Sequence, residues 1–113
     1  MNYKEERPWG SFENLLDEDG YKVKKIIVNP DQRLSLQLHQ MRSEFWYILS
    51  GGGFMQVGGE QYEIAAGDTV QIPLLQVHRV ICGQDDPLVI LELQTGVCDE
   101  DDIIRIEDDY NRV

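Results

Sequence analysis

The sequence predicts an all-β fold, a small barrel or double-sheet roll that takes up residues 1–113 as one domain. Three observations lead there. Apolar and polar residues alternate with a period of two through most of the chain, which is the period of a strand. Turn residues interrupt the alternation about every ten residues, the spacing expected of sandwiches and barrels. A chain of 113 residues can bury one core but not two.

The elements follow in order. "YKVKKIIVNPD" alternates from Tyr21 and stops at Asn29-Pro30, a turn signal. "RLSLQLH" alternates strictly from Arg33 to His39, and "EFWYILS" is dense in aromatic and β-branched residues before Gly51-Gly52-Gly53. "FMQVGGEQYEI" reads as two short strands around Gly58-Gly59, a two-residue hairpin turn. "AAGD" is a turn, "TVQIP" a strand ended by Pro73, and "VHRVIC" and "PLVILELQT" complete the series. Only the acidic tail "DEDDIIRIEDDYNR" reads as a short helix, with Asp residues placed to favour its N-terminus.

Composition narrows the function. With 42% hydrophobic residues and 4 prolines the chain is expected to fold. A net charge of −11 argues against nucleic acid and against anionic membranes as partners, since long-range repulsion opposes both. No apolar run reaches the roughly 18 residues that span a bilayer, and "MNYKEERPWG" lacks the core of a signal peptide. Cys82 and Cys98 read as reduced thiols, so the expected location is cytoplasmic.

The stretch from Leu34 to Gly51 holds one of only 2 histidines. Arg33, Ser35, Gln37 and His39 share one face of the strand, and Leu34, Leu36 and Leu38 share the other. In a barrel that holds a ligand the amide and imidazole would face inward, and the leucine row would then need a cover. The opposite assignment, leucines inward and His39 in water, fits this strand equally well.

Two motifs decide between them by resemblance. Around "LSLQLHQMRSEFWYILSG" the chain resembles the first motif of the cupin superfamily: Asp31 stands at its opening glycine, Gln37 at its first histidine, and His39, Glu44 and Gly51 match. In the second motif Gly67, Pro73 and His78 match in register, while Leu75 replaces a glycine and Cys82 an asparagine. "RPWGSFENLL", "YKVKKIIVNPD", "IPLLQVHRV", "PLVILELQTG" and "EDDIIRIEDDYNR" extend the likeness from Arg7 to Arg112. Over that length the chain is similar to the type II phosphomannose isomerase domain, also found behind sugar-nucleotide transferases in bifunctional enzymes. That family likewise has glutamine at the first ligand position. It has further histidines where Gln40, Met41 and Phe45 stand here, and Tyr-Gly-Arg at Tyr110-Asn111-Arg112.

The resemblance implies a jelly-roll-like double-stranded β-helix barrel with a short acidic C-terminal segment. It implies one divalent metal ion per chain, held by Gln37, His39, Glu44 and His78, and isomerisation of mannose 6-phosphate and fructose 6-phosphate. A set of oxygen and imidazole donors without a thiolate suits Zn, Mn, Fe, Co or Ni. With both histidines used as ligands, the proton-transferring base must lie elsewhere. Glu92 is the candidate, because it shares a face with Ile90 and Gln94 on an apolar strand where desolvation would raise its pKa. The alternative for Glu92 is an edge-strand carboxylate facing water. Lys24 matches the family and reads as acid/base or as a phosphate contact.

A phosphorylated substrate on a chain of charge −11 needs a local basic cluster. Arg33 on the ligand face, Arg79 and Arg105 inside apolar runs, and Gln94 beside Glu92 are the expected substrate-binding residues. The leucine row, in a superfamily that commonly pairs through sheet faces, suggests a homodimer. Two other functions remain open: a non-catalytic sugar-binding or regulatory cupin, and a cupin oxygenase or epimerase acting on another small molecule.

Overall fold

Alternation puts one row of side chains on each face of a strand, and the structure turns those rows inward across two sheets. It is a computed structural model that describes residues 3–110; Asn111 and Arg112, which the resemblance aligned with Gly-Arg, lie outside the described residues. The strands are β1 (Tyr3–Arg7), β2 (Gly10–Glu18), β3 (Tyr21–Val28), β4 (Leu36–Leu38), β5 (Arg42–Ser50), β6 (Gly52–Val57), β7 (Glu60–Ala65), β8 (Thr69–Ile72), β9 (His78–Cys82), β10 (Leu88–Gly96) and β11 (Ile104–Glu107). One sheet has the order β1-β2-β3-β10-β5-β8 and the other β11-β4-β9-β6-β7. The chain crosses between them at Gly51, whose φ of +82° suits glycine and where a Cβ would stand 2.2 Å from the Pro87 carbonyl oxygen.

The inner rows of three neighbouring strands change character along their length. On β3 the buried residues run Lys22, Lys24, Ile26, Val28; on β10 they run Gln94, Glu92, Ile90, Leu88; on β5 they run Arg42, Glu44, Trp46, Ile48. Register aligns these changes. Lys24 pairs with Glu92 and Glu92 with Trp46, while Ile26 pairs with Ile90 and Ile90 with Ile48. One end of the roll is therefore an apolar core, with Met55, Val80 and Cys82 added from the second sheet. The other end collects amides, carboxylates and cations around a cavity of about 450 Å³.

The tail is not a helix. Ile104–Glu107 form β11 and pair antiparallel with β4, Ile104 against Leu38 and Arg105 against Gln37. Tertiary pairing overrides the local helical signal, because β4 would otherwise expose its backbone along one edge. Arg79, 2% exposed, fixes this arrangement. Its Nε donates to the Leu34 carbonyl at 2.9 Å, its Nη1 to the Glu107 carboxylate at 3.2 Å, and its Nη2 to the Glu107 carbonyl at 3.3 Å.

The leucine row is also placed differently from expectation. Leu34 and Leu36 are buried at 8% and 9% exposure by the chain itself, and Leu38 is half-buried. On the outer face of the six-stranded sheet, exposed Phe45, Leu93 and Leu16 and half-buried Val23 form one cross-strand row. Among the described residues no helix is long and apolar enough to cross a membrane.

Because Arg79 ties β11 to the roll through three hydrogen bonds, Arg79→Ala should lower unfolding free energy by about 2–4 kcal/mol. Urea denaturation measures this, and limited proteolysis should show the tail cleaved first. An unchanged midpoint would contradict the assignment.

Candidate metal centre

Register brings the donors together. Gln37 on β4 stands directly opposite His78 on β9, so both side chains point to the same, inner face. His39 follows β4 and Glu44 lies on the inner row of β5. His39, Glu44 and His78 are all buried and offer ligand atoms within 4.8 Å of one another. His39 Nε2 is 3.1 Å from Glu44 Oε2, and His78 Nε2 is 3.9 Å from Glu44 Oε1.

Backbone carbonyls fix both histidine tautomers. His39 Nδ1–H donates to the Asp102 carbonyl at 2.6 Å, and His78 Nδ1–H to the Gln76 carbonyl at 2.8 Å. Each Nε2 is left with a lone pair aimed at Glu44. Burial, followed by the charge of Arg42, pushes the His39 imidazole down to about 4, and burial also pushes His78 below its ordinary value. Both rings are therefore neutral at pH 7. A lone pair and a carboxylate oxygen 3.1 Å apart are two acceptors facing each other, an arrangement that positive charge shared by both would stabilise. His78 Nε2 has no hydrogen-bond partner. Two ligands at right angles on bonds of about 2.1 Å would stand about 3 Å apart, so the donor spacing fits a divalent ion.

Arg42 partly meets that demand within the protein. Its Nε donates to Glu44 Oε2 at 2.9 Å, its Nη1 to the Asp99 carbonyl at 3.1 Å, and its Nη2 lies 3.4 Å from His39 Nε2. Burial alone would lower its pKa, but Glu44 and Glu92 outweigh that and hold it above the usual arginine value. The other oxygen of Glu44 accepts from the Trp46 indole N–H at 3.0 Å.

Glu92 lies beside this group. It is 4% exposed on β10, a central strand between β3 and β5, so it is not an edge carboxylate facing water. Burial, followed by the charge of Glu44, pushes its carboxyl up to about 7. The Gln94 amide donates to it at 2.6 Å.

The cavity wall includes Gln37, His39, Arg42, Glu44, Lys24, Glu92 and Arg105; His78, 1% exposed, is not part of it. Three expected substrate residues are placed elsewhere. Arg33 is not in the wall; it forms a bidentate pair with Asp109 at 2.7 and 2.8 Å. Regular strand begins only at Leu36, and Leu34 and Ser35 both line the cavity, so the phase of Gln37 does not extend back to Arg33. Arg79 is occupied by the Leu34 and Glu107 bonds that secure β11. Gln94, 0% exposed, lies outside the wall and contacts Glu92. Arg42, Lys22 and Glu100 were missed in the sequence. Arg42 could have been found, because Arg42, Glu44 and Trp46 share one face of "RSEFW". Glu100, in the irregular segment between β10 and β11, has no such signal.

The family model "Mannose-6-phosphate isomerase C-terminal" matches residues 1–108. Mannose-1-phosphate guanylyltransferase ManC of Salmonella typhimurium is 34% identical over 95% of this chain and 22% of its own length. Alginate biosynthesis protein AlgA of Pseudomonas aeruginosa is 38% identical over 94% of this chain, again 22% of its own. The chain thus spans under a quarter of the length of these relatives. Among solved structures, a putative sugar phosphate isomerase from Acidithiobacillus ferrooxidans superposes with a TM-score of 0.63 at 28% identity, covering 69% of this chain and 51% of its own. A cupin protein from Bacteroides fragilis gives 0.63 at 26% identity, covering 69% and 67%. The capsular polysaccharide assembling protein CapF of Staphylococcus aureus gives 0.80 at 19% identity, covering 95% and 34%. The double-sheet roll is a cupin fold.

Arg42 is the protein's own counter-charge to a Glu44 side chain only 1% exposed. Arg42→Met would leave that carboxylate buried and unpaired, and should destabilise the metal-free chain by about 3–5 kcal/mol. Thermal and urea unfolding after chelator treatment check this, and wild-type stability in the variant would refute it.

Proposed function

The chain belongs to the mannose-6-phosphate isomerase C-terminal family, and from that membership and the cavity's geometry we propose that it is a metal-dependent sugar-phosphate isomerase interconverting mannose 6-phosphate and fructose 6-phosphate. The observation that carries this reading is the pair of neutral imidazole nitrogens converging on Glu44, with the buried carboxyl of Glu92 in the same cavity wall. Gln37, His39, Glu44 and His78 would hold the ion. When bound, a divalent ion supplies Lewis acidity that stabilises negative charge developing on the oxygens at C1 and C2.

The protein's own residues supply the proton movement. An aldose and its ketose differ by one proton moved between the oxygens at C1 and C2 and by one proton carried between C2 and C1. Glu92 can remove it from one carbon and return it to the other, since desolvation makes it a stronger base than a surface carboxylate. The Gln94 amide holds the Glu92 carboxylate in one orientation. Lys24 faces Glu92 across the β3–β10 pair and can support charge on either the base or the substrate. Lys24 and Arg105 give the wall the cationic character that a phosphorylated sugar needs against a net charge of −11.

Two experiments test the proposal. Elemental analysis of protein kept from chelators should find about one divalent ion per chain, lost in His39→Ala and His78→Ala and only weakened in Gln37→Ala, whose amide is the weakest donor. Absence of metal with no rebinding on titration would overturn the centre.

Glu92→Gln should keep metal and substrate affinity but lower turnover by about 10²–10⁴-fold, the usual loss for an acid/base group. Exchange of the substrate C2 proton with solvent deuterium reads the step directly. Metal-loaded wild-type protein that binds hexose phosphate without that exchange would be a sugar-binding cupin, and the isomerase reading would be lost.

A further inference from the structure

Lys22 and Lys24 stand at successive inner positions of β3, and their side chains are only 5% and 6% exposed. Burying two ammonium groups side by side opposes both solvation and mutual repulsion. Both converge on one oxygen, Glu100 Oε1, at 3.3 Å from Lys22 and 2.5 Å from Lys24. Lys22 is also 3.8 Å from Asp17, and the Lys24 ammonium lies 4.2 Å from the centre of the Phe12 ring. A rigid pair of buried cations thus grips a carboxylate.

That carboxylate is not comparably fixed. The Glu100 side chain is 44% exposed and belongs to the irregular segment 97–103. Glu100 and Lys24 line the same cavity as Gln37, His39, Glu44 and Glu92. The segment is pinned on either side of Glu100 by bonds that do not involve its carboxylate. The Asp99 carbonyl accepts from Arg42, the Asp102 carbonyl from His39, and the Asp102 carboxylate from the backbone N–H groups of Gln40 and Met41 at 2.9 and 2.8 Å. Glu100 can therefore turn out of the cavity while the backbone that orients His39 stays in place.

We propose that Lys24 in the cavity wall, backed by the buried Lys22 that shares its carboxylate partner, forms the anion subsite, and that Glu100 is an internal stand-in which the phosphate monoester of the substrate displaces. The site rests on the sugar-phosphate reading above and locates its phosphate. A phosphate near pH 7 brings a charge of about −1.5 to −2 and three acceptor oxygens against the single charge of a carboxylate, so it is the better partner for two ammoniums. Lys24 pairs with Glu92 in register, so a sugar held by its phosphate at the lysines would extend toward the base.

Calorimetric titration of the metal-free chain with inorganic phosphate, mannose 6-phosphate and mannose tests this without turnover. Glu100→Gln removes the competing charge and keeps an amide oxygen to accept from the two ammonium groups, and thermal unfolding checks that the variant is folded before it is titrated. It should bind inorganic phosphate and mannose 6-phosphate about 3- to 30-fold more tightly than wild type, with no gain for mannose. Lys22→Met should lose at least about tenfold for both phosphates, and Lys24→Arg should retain binding where Lys24→Met loses it. Equal or weaker phosphate affinity in Glu100→Gln, or an equal gain for mannose, would overturn the subsite. Tighter phosphate binding in Glu100→Gln together with no C2 exchange in the metal-loaded chain would keep the subsite and remove only the isomerase reading.

Discussion

Glu44 carries a carboxylate at 1% exposure inside a 113-residue roll, and the surrounding structure is arranged to hold it there. An unpaired carboxylate at that depth would cost several kcal/mol, comparable with the whole stability of a small domain. Its partners come first from its own strand. Arg42 and Trp46, two residues away on either side, share its inner face and each donates to one of its oxygens. That solution needs β5 to remain regular over this stretch, and pairing with β10 and β8 keeps it so. Neutral His39 and His78 add lone pairs rather than protons to the same spot. The result is a stable fold with unspent capacity to bind a cation, which is the property a metal centre requires.

The gradient along the inner rows explains why one small barrel can be both a core and a cavity. Apolar burial at the Ile26, Ile48, Ile90 end supplies the stabilisation, and the polar end is carried by the same strands. Glu92 sits one register step from the isoleucine row, close enough for desolvation to raise its pKa yet still in the cavity wall. Its position follows from alternation alone, two residues beyond Ile90.

Alternation and turn chemistry made the strands legible. Counting by two grouped Gln37 with His39 and Glu92 with Gln94, while the choice of the inward face for the first pair, and Glu44 and Lys24 altogether, came from the resemblance. Counting failed where the chain is not regular. Arg33 precedes β4 with two cavity-lining residues in succession between them, so its phase was lost and it turned to Asp109. The tail looked helical because four acidic residues precede an apolar group, but the edge of β4 took it as a strand. Arg79 looked functional for a sound reason, an arginine in an apolar run, yet the demand it answers is backbone satisfaction at that edge. Long-range pairing of this kind leaves no mark in a local window.

The family histidines absent at positions 40, 41 and 45 bear on whether the centre is intact. Phe45 is 38% exposed, and being adjacent to Glu44 on a regular strand it points to the opposite, outer face. Met41 is 54% exposed and Gln40 is exposed too, and neither is in the cavity wall. What positions 40 and 41 do contribute is made by their main chain: both N–H groups donate to the Asp102 carboxylate, and the carbonyl of that same residue orients His39. The backbone N–H that makes each of those bonds is common to every residue except proline. Side chains at these three positions therefore shape the outer surface and the lip of the roll, while the bond that orients His39 depends on backbone groups that any residue but proline supplies.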